Sequence, residues 1–165
     1  MSRLPELTAK IDAFFHRVEA RHAEDMQCQT GCSDCCHVRL TITPIEAAAI
    51  TAHLEALPVT ERATIARRAA SAPPDRCAAL DALGRCQIYA ARPVVCRSHG
   101  APIRMREGGL PVIQSCHRNF THTTPDADCV LDQETLSAMV LAVDRAAGAT
   151  GTEPRIDLAS LLQTK

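Results

Sequence analysis

The sequence predicts a small, mainly α domain with a short β-hairpin and irregular cysteine-rich loops, stabilised by metal. Three observations predict it. Apolar residues recur at helical spacing near both ends of the chain. Nine cysteines lie between those ends, with turn-forming residues among them. Only four aromatic side chains, Phe14, Phe15, Tyr89 and Phe120, are available to a core in 165 residues. Aromatic side chains bury the most apolar area each, so so thin a core calls for another source of stability, and cysteine ligands to a metal can supply it.

Each element has a local reason. Over residues 5–25, Leu7, Ile11, Phe14, Phe15 and Val18 recur at three- and four-residue steps with charged residues between them, which predicts an amphipathic helix. VRLTIT, residues 38–43, alternates like a short strand or extended lead-in. Thr43, Pro44 and Glu46 then spell a helix start: a capping threonine, proline in the first helical position and glutamate in the capping-box position. Ile45, Ala48, Ala49, Ala52 and Leu54 continue that helix, which stops before Pro58. Residues 60–71 read as a polar, alanine-rich helix ended by Pro73 and Pro74. In CAALDALGRCQIY, residues 77–89, two apolar pieces flank Asp81 and Gly84 and predict a hairpin. Pro93 opens one short helical turn. EGGLPVIQSC, residues 107–116, holds a turn and a short strand. Asp132 caps a last long helix reaching about Ala147, with Leu136, Met139, Val140 and Val143 on one face. IDLASLL, from Ile156, adds a short helix. No repeat, low-complexity segment or composition break divides the chain, so residues 1–165 are expected to form a single domain.

Composition narrows the function classes. The formal net charge is −1, and no run of like charge exceeds two residues. No basic, aromatic-interleaved surface is encoded, so a nucleic-acid partner is not expected. Glu6 and Asp12 interrupt the N-terminus, which lacks a signal-peptide core. No stretch approaches the roughly 18 uninterrupted apolar residues of a membrane span, so no membrane partner is expected and the cytoplasm is the expected location. In that reducing compartment, nine thiols point to metal rather than disulfides. The chain has no G-x-G-x-x-G, phosphate-binding loop, H-E-x-x-H or G-x-S-x-G.

The chemistry lies in CQTGCSDCC, residues 28–36, where four cysteines occupy nine positions. Thiolates must converge to within about 2.3 Å of one metal, and two- or three-residue spacers let the backbone curl to do so. Cys28, Cys32 and Cys35 meet that need locally. Cys36 adjoins them, although consecutive side chains tend to point apart; it reaches a second metal, bridges, or binds the same cluster through a twisted backbone. Cys77, Cys86, Cys96 and Cys116 follow. Cys129 reads as a buried small apolar residue. The remaining eight thiols suffice for two four-thiolate sites, or for one site with spare ligands. The CxxxCxxC portion alone matches the cluster loop of radical S-adenosylmethionine enzymes, but the strand–helix series of their barrel is missing.

The wider pattern resembles the CxxCxxCC cysteine-cluster proteins, a YkgJ-like family of zinc- or iron-chelating domains. CQTGCSDCC, CAALDALGRCQIYAARPVVCR (77–97) and SCHRNF (115–120) carry the likeness. Its most specific phrase is C-x-I-Y-x-x-R-P-x-x-C-R, here Cys86, Ile88, Tyr89, Arg92, Pro93, Cys96 and Arg97. The likeness covers about residues 25–120, flanked by the terminal helices, and departs from the family in its first spacing of three residues. It implies as metal ligands Cys28, Cys32, Cys35, Cys36, Cys86, Cys96 and Cys116, with Cys77 joining them. The cofactor so implied is zinc or iron, and the dense thiols and adjacent pair favour an iron–sulfur cluster. Flagellin lysine methylases share the cysteine pattern in longer chains.

Around the thiols, His37, His99 and His117 are expected as polar neighbours able to replace a thiolate. His16, His22, His53 and His122 are expected at the surface. Arg92 and Arg97 are placed to offset thiolate charge, Tyr89 to pack over the site, and Phe120 to join the core. The resulting expectation is a cytosolic metal-chelating protein. The alternatives are an iron–sulfur enzyme or electron-transfer protein related to the cysteine-cluster lysine methylases, and a metal-delivery protein that exchanges metal through vicinal thiols.

Overall fold

A computed structural model describes residues 3–164. In chain order the helices are α1 (Leu4–Arg21), α2 (Pro44–Glu55), α3 (Val59–Ser71), α4 (Val94–Ser98), α5 (Gln133–Ala146) and α6 (Leu158–Gln163). The strands are β1 (Thr41–Ile42), β2 (Ile103–Glu107), β3 (Leu110–Gln114), β4 (Leu131–Asp132) and β5 (Ile156–Asp157). The fold is mainly α with short strands and one hairpin. Among the described residues no helix is long and apolar enough to cross a membrane.

The chain forms two compact units, each built from two separated segments. The first contains residues up to Gln29 together with Val94–Ala146; the second contains Thr30–Pro93 together with the described residues from Ala147 onward.

In the first unit α1 packs against α4 and α5. It buries Leu4, Leu7, Ile11, Phe14 and Val18, the stripe its periodicity predicts. The helix ends at Arg21, short of the expected residue 25. Its apolar repeat stops at Val18, and the His22 carbonyl then accepts from both Asp25 and Met26 in a turn. Phe14 and Val18 form a small core with Ala101 and Cys129, flanked by Phe15, Met26, Phe120 and Leu131. The sheet has the order β3-β2-β4. Strand β2 is antiparallel to β3, with Ile103 opposite Gln114 and Glu107 opposite Leu110. It is parallel to β4, with Ile103 opposite Leu131. Gly108 and Gly109 link β2 to β3 at φ 58° and 85°, the double left-handed geometry that glycine provides in a two-residue hairpin loop. Asp132 caps α5 by accepting from the Thr135 amide at 2.8 Å.

In the second unit α3 and α6 pack together and α2 packs on α6. The capping box forms as predicted: the Thr43 N–H donates to the Glu46 carboxylate at 2.9 Å. VRLTIT contributes only the two residues of β1, which pair antiparallel with β5 through Thr41–Asp157 and Ile42–Ile156. The buried core consists of Ile42, Ile50, Leu54, Ile65, Ile88, Leu158 and Leu162 with several alanines and Cys77, and none of its members is aromatic.

The hairpin expected over residues 77–89 does not form. Asp81 takes over that segment: its Oδ1 accepts from the amides of Leu83 and Arg85, both at 2.8 Å. The Arg85 carbonyl accepts from the Asp81 amide at 2.9 Å. The chain therefore turns on a side chain, and one antiparallel bridge, Leu80 to Cys86, is what remains of a ladder.

Candidate metal centre

All nine cysteines are free thiols. Cys32, Cys35, Cys36, Cys77 and Cys86 belong to the second unit, and Cys28, Cys96, Cys116 and Cys129 to the first.

In the second unit Asp34–Cys36 makes a single 3₁₀ turn, closed by the Cys36 amide donating to the Ser33 carbonyl at 2.8 Å. The tight turn brings the adjacent sulfurs to the same side, 3.9 Å apart. That separation is close to the edge of about 3.8 Å in a tetrahedron with metal–sulfur bonds of about 2.3 Å. The Cys36 carbonyl accepts from the Cys77 amide at 2.7 Å, which ties the 3₁₀ turn to the 77–86 loop. Gly31 and Gly84 hold left-handed φ values of 92° and 76° at its bends, and a Cβ on Gly84 would lie 3.2 Å from Ser33 Oγ.

The thiols differ in acidity. Cys35 is exposed, and its thiol is lowered to about 7, chiefly because Cys36 hydrogen-bonds to its charged form, with Arg92 assisting; burial and Asp34 oppose the shift. Burial pushes Cys77 and Cys86 up, and each lies near enough to Cys35 for its negative charge to add to the rise. Cys35 is thus the thiol best prepared to be an anion at neutral pH. Among the described residues, no three of these sulfurs lie within 4.8 Å of one another.

Arg92 stacks on the Tyr89 ring at 4.1 Å. Tyr89 is 60% exposed, a surface platform for Arg92 rather than a lid over the thiols. Arg97, expected beside sulfur, is paired with Asp12 at 2.6 Å.

In the first unit Cys28 has a partner that the cysteine spacing does not announce. Asn119, buried, donates from Nδ2 to Cys28 Sγ at 3.3 Å and to the Gly100 carbonyl at 2.8 Å. Its Oδ1 accepts from the Gln27 amide at 2.8 Å, and its own amide donates to the Cys116 carbonyl at 2.8 Å. One residue, through its side chain and its main-chain amide, therefore connects the flanks of Cys28, the loop after α4 that follows Cys96, and the turn at Cys116. Gly100 has φ 99°, and a Cβ there would come within 2.6 Å of Cys28 Sγ. The only hint in the sequence is Asn119 lying three residues past Cys116.

The histidines divide. His37, His99 and His117 are exposed beside cysteines, and His16 and His122 are exposed as expected. His22, also expected at the surface, is only 12% exposed, because it caps the end of α1 against the edge of Phe120. Cys129 is fully buried in the core, as expected of a small apolar residue.

The donor chemistry of both units suits a thiophilic metal. Soft thiolates take zinc or iron, one thiol is already acidified, and another receives an amide N–H of the kind that steadies a charged sulfur. The model of the CxxCxxCC family, described as "Putative zinc- or iron-chelating domain", matches residues 27–130. No curated protein matches the chain, and no solved structure matches it.

Proposed function

Because the chain belongs to the CxxCxxCC family of zinc- or iron-chelating domains, we propose that its clustered cysteines chelate zinc or iron as thiolates in the cytosol. In the second unit the ligands are Cys32, Cys35, Cys36, Cys77 and Cys86. In the first they are Cys28, Cys96 and Cys116. The observation that carries this reading is the adjacent pair: Cys35 and Cys36 hold their sulfurs 3.9 Å apart on one side of a 3₁₀ turn, with the Cys35 thiol lowered to about 7.

The surrounding residues have defined tasks. Arg92 offsets the negative charge that several thiolates would concentrate. The Cys77 amide, bonded to the Cys36 carbonyl, holds the loops together. Asn119 orients the Cys28 sulfur. Zinc would supply a cross-link, whereas an iron–sulfur cluster would also supply an electron carrier. Two features favour the cluster: the second unit offers more thiols than one zinc ion takes, and Cys28 accepts an N–H hydrogen bond of the sort that sets cluster potentials.

The test is the metal and acid-labile sulfide content, with a visible spectrum, of protein purified without oxygen. Iron with sulfide and a brown colour supports the cluster. Zinc without colour supports a structural thiolate site. A folded protein holding neither metal overturns the proposal.

A further inference from the structure

Three more metal-ligating side chains meet in the first unit, outside the thiols assigned above. His22 ends α1, Asp126 caps the 3₁₀ turn Ala127–Cys129, and Cys129 closes that turn. One ligand atom from each lies within 4.8 Å of the other two. His22 Nε2 and Asp126 Oδ2 are 3.5 Å apart. That is long for a hydrogen bond but near the edge of about 3.3 Å in a tetrahedron with bonds of about 2.0 Å to nitrogen and oxygen. Nε2 is buried, and no hydrogen bond reaches it.

The ring is held in place from two sides. Its edge meets Phe120 with centroids 5.0 Å apart. Nδ1 faces Asp25 Oδ2 at 3.6 Å, on the side from which a carboxylate orients a metal-bound imidazole. The local charge also suits a cation. Arg21 bridges Asp126 at 2.6 Å and Asp128 at 2.5 Å, and Asp25 faces the imidazole, so the cluster holds three carboxylates and one guanidinium. Asp126 keeps lone pairs for a second partner, and the carbonyl end of α1 adds negative potential. Cys129 is fully buried, whereas Asp126 is half exposed and opens a path from solvent.

We propose that His22, Asp126 and Cys129 form a further metal site, with mixed nitrogen, oxygen and sulfur ligands, for a zinc-class divalent cation. The Cys129 thiol releases its proton to solvent as the metal–sulfur bond forms. Three protein ligands leave the fourth tetrahedral position to water.

The experiment exchanges the metal of the full chain for cadmium, without stripping it first, and follows cadmium NMR and metal content. The expected result is a mixed-ligand resonance besides the thiolate resonances. Asp126→Asn and His22→Gln should each abolish that resonance and remove one equivalent of metal, leaving the thiolate signals in place. Asp126→Asn alters a half-exposed residue and carries the test if His22→Gln does not fold. Identical spectra and stoichiometry in the parent protein and Asp126→Asn would overturn the site. A mixed-ligand resonance without thiolate resonances would uphold this site while refuting the function proposed above.

Discussion

At the scale of single residues, the candidate centre depends on side chains that are not ligands. Asn119→Leu keeps the branched shape but leaves the Gln27 amide and the Gly100 carbonyl without their buried partner. It is expected to cost roughly 2–4 kcal/mol and to lower metal occupancy, measured by denaturant unfolding and metal analysis; unchanged values would deny Asn119 its orienting role. Gly100→Ala places a methyl group against Cys28 Sγ at a left-handed φ and should destabilise by more than about 1 kcal/mol. Cys35 supplies a pH prediction. In metal-free protein its alkylation should rise through about pH 7, well before that of Cys77 and Cys86, whose burial raises them. Cys36→Ala, which has no donor for the thiolate, should move that rise to higher pH, as read by mass spectrometry.

At the scale of elements, a side-chain cap defines the start of α6. Asp157 accepts from the Ser160 amide at 2.8 Å and from its hydroxyl at 2.7 Å, and these bonds hold the carboxyl below its ordinary value. A depressed carboxylate contributes stability above its unfolded value near 4 and loses it as pH falls through the depressed one. Asp157→Asn can still cap α6 but cannot titrate. Its unfolding midpoint should therefore respond less to acid below about pH 4 than that of the parent. Identical acid profiles would show that the cap adds no pH dependence.

At the scale of the molecule, the core of the second unit has no buried aromatic side chain, so apolar burial supplies it with less stability than an aromatic core would. Thiolate–metal bonds are the supply proposed above, on the order of 10 kcal/mol for a structural zinc site. A strong chelator under reducing conditions should lower the thermal midpoint sharply and reduce helical circular dichroism. An unchanged midpoint after metal removal would show that the cores suffice.

The sequence by itself determined what depends on near neighbours. The Thr43–Glu46 capping box, the stripe of α1, the short helix after Pro93 and the supply of thiols in 28–36 are all written within a few residues. The 77–89 segment escaped because Asp81 and Gly84 suit either a hairpin or a side-chain turn, and only hydrogen bonding chooses between them. Tertiary structure alone decided which side chains meet across long separations. Asn119 reaches Cys28 from 91 residues away, Gly100 must lack a Cβ there, and His22 joins Asp126 and Cys129. Such meetings follow from how helices and loops pack, and packing depends on many residues at once rather than on local spacing.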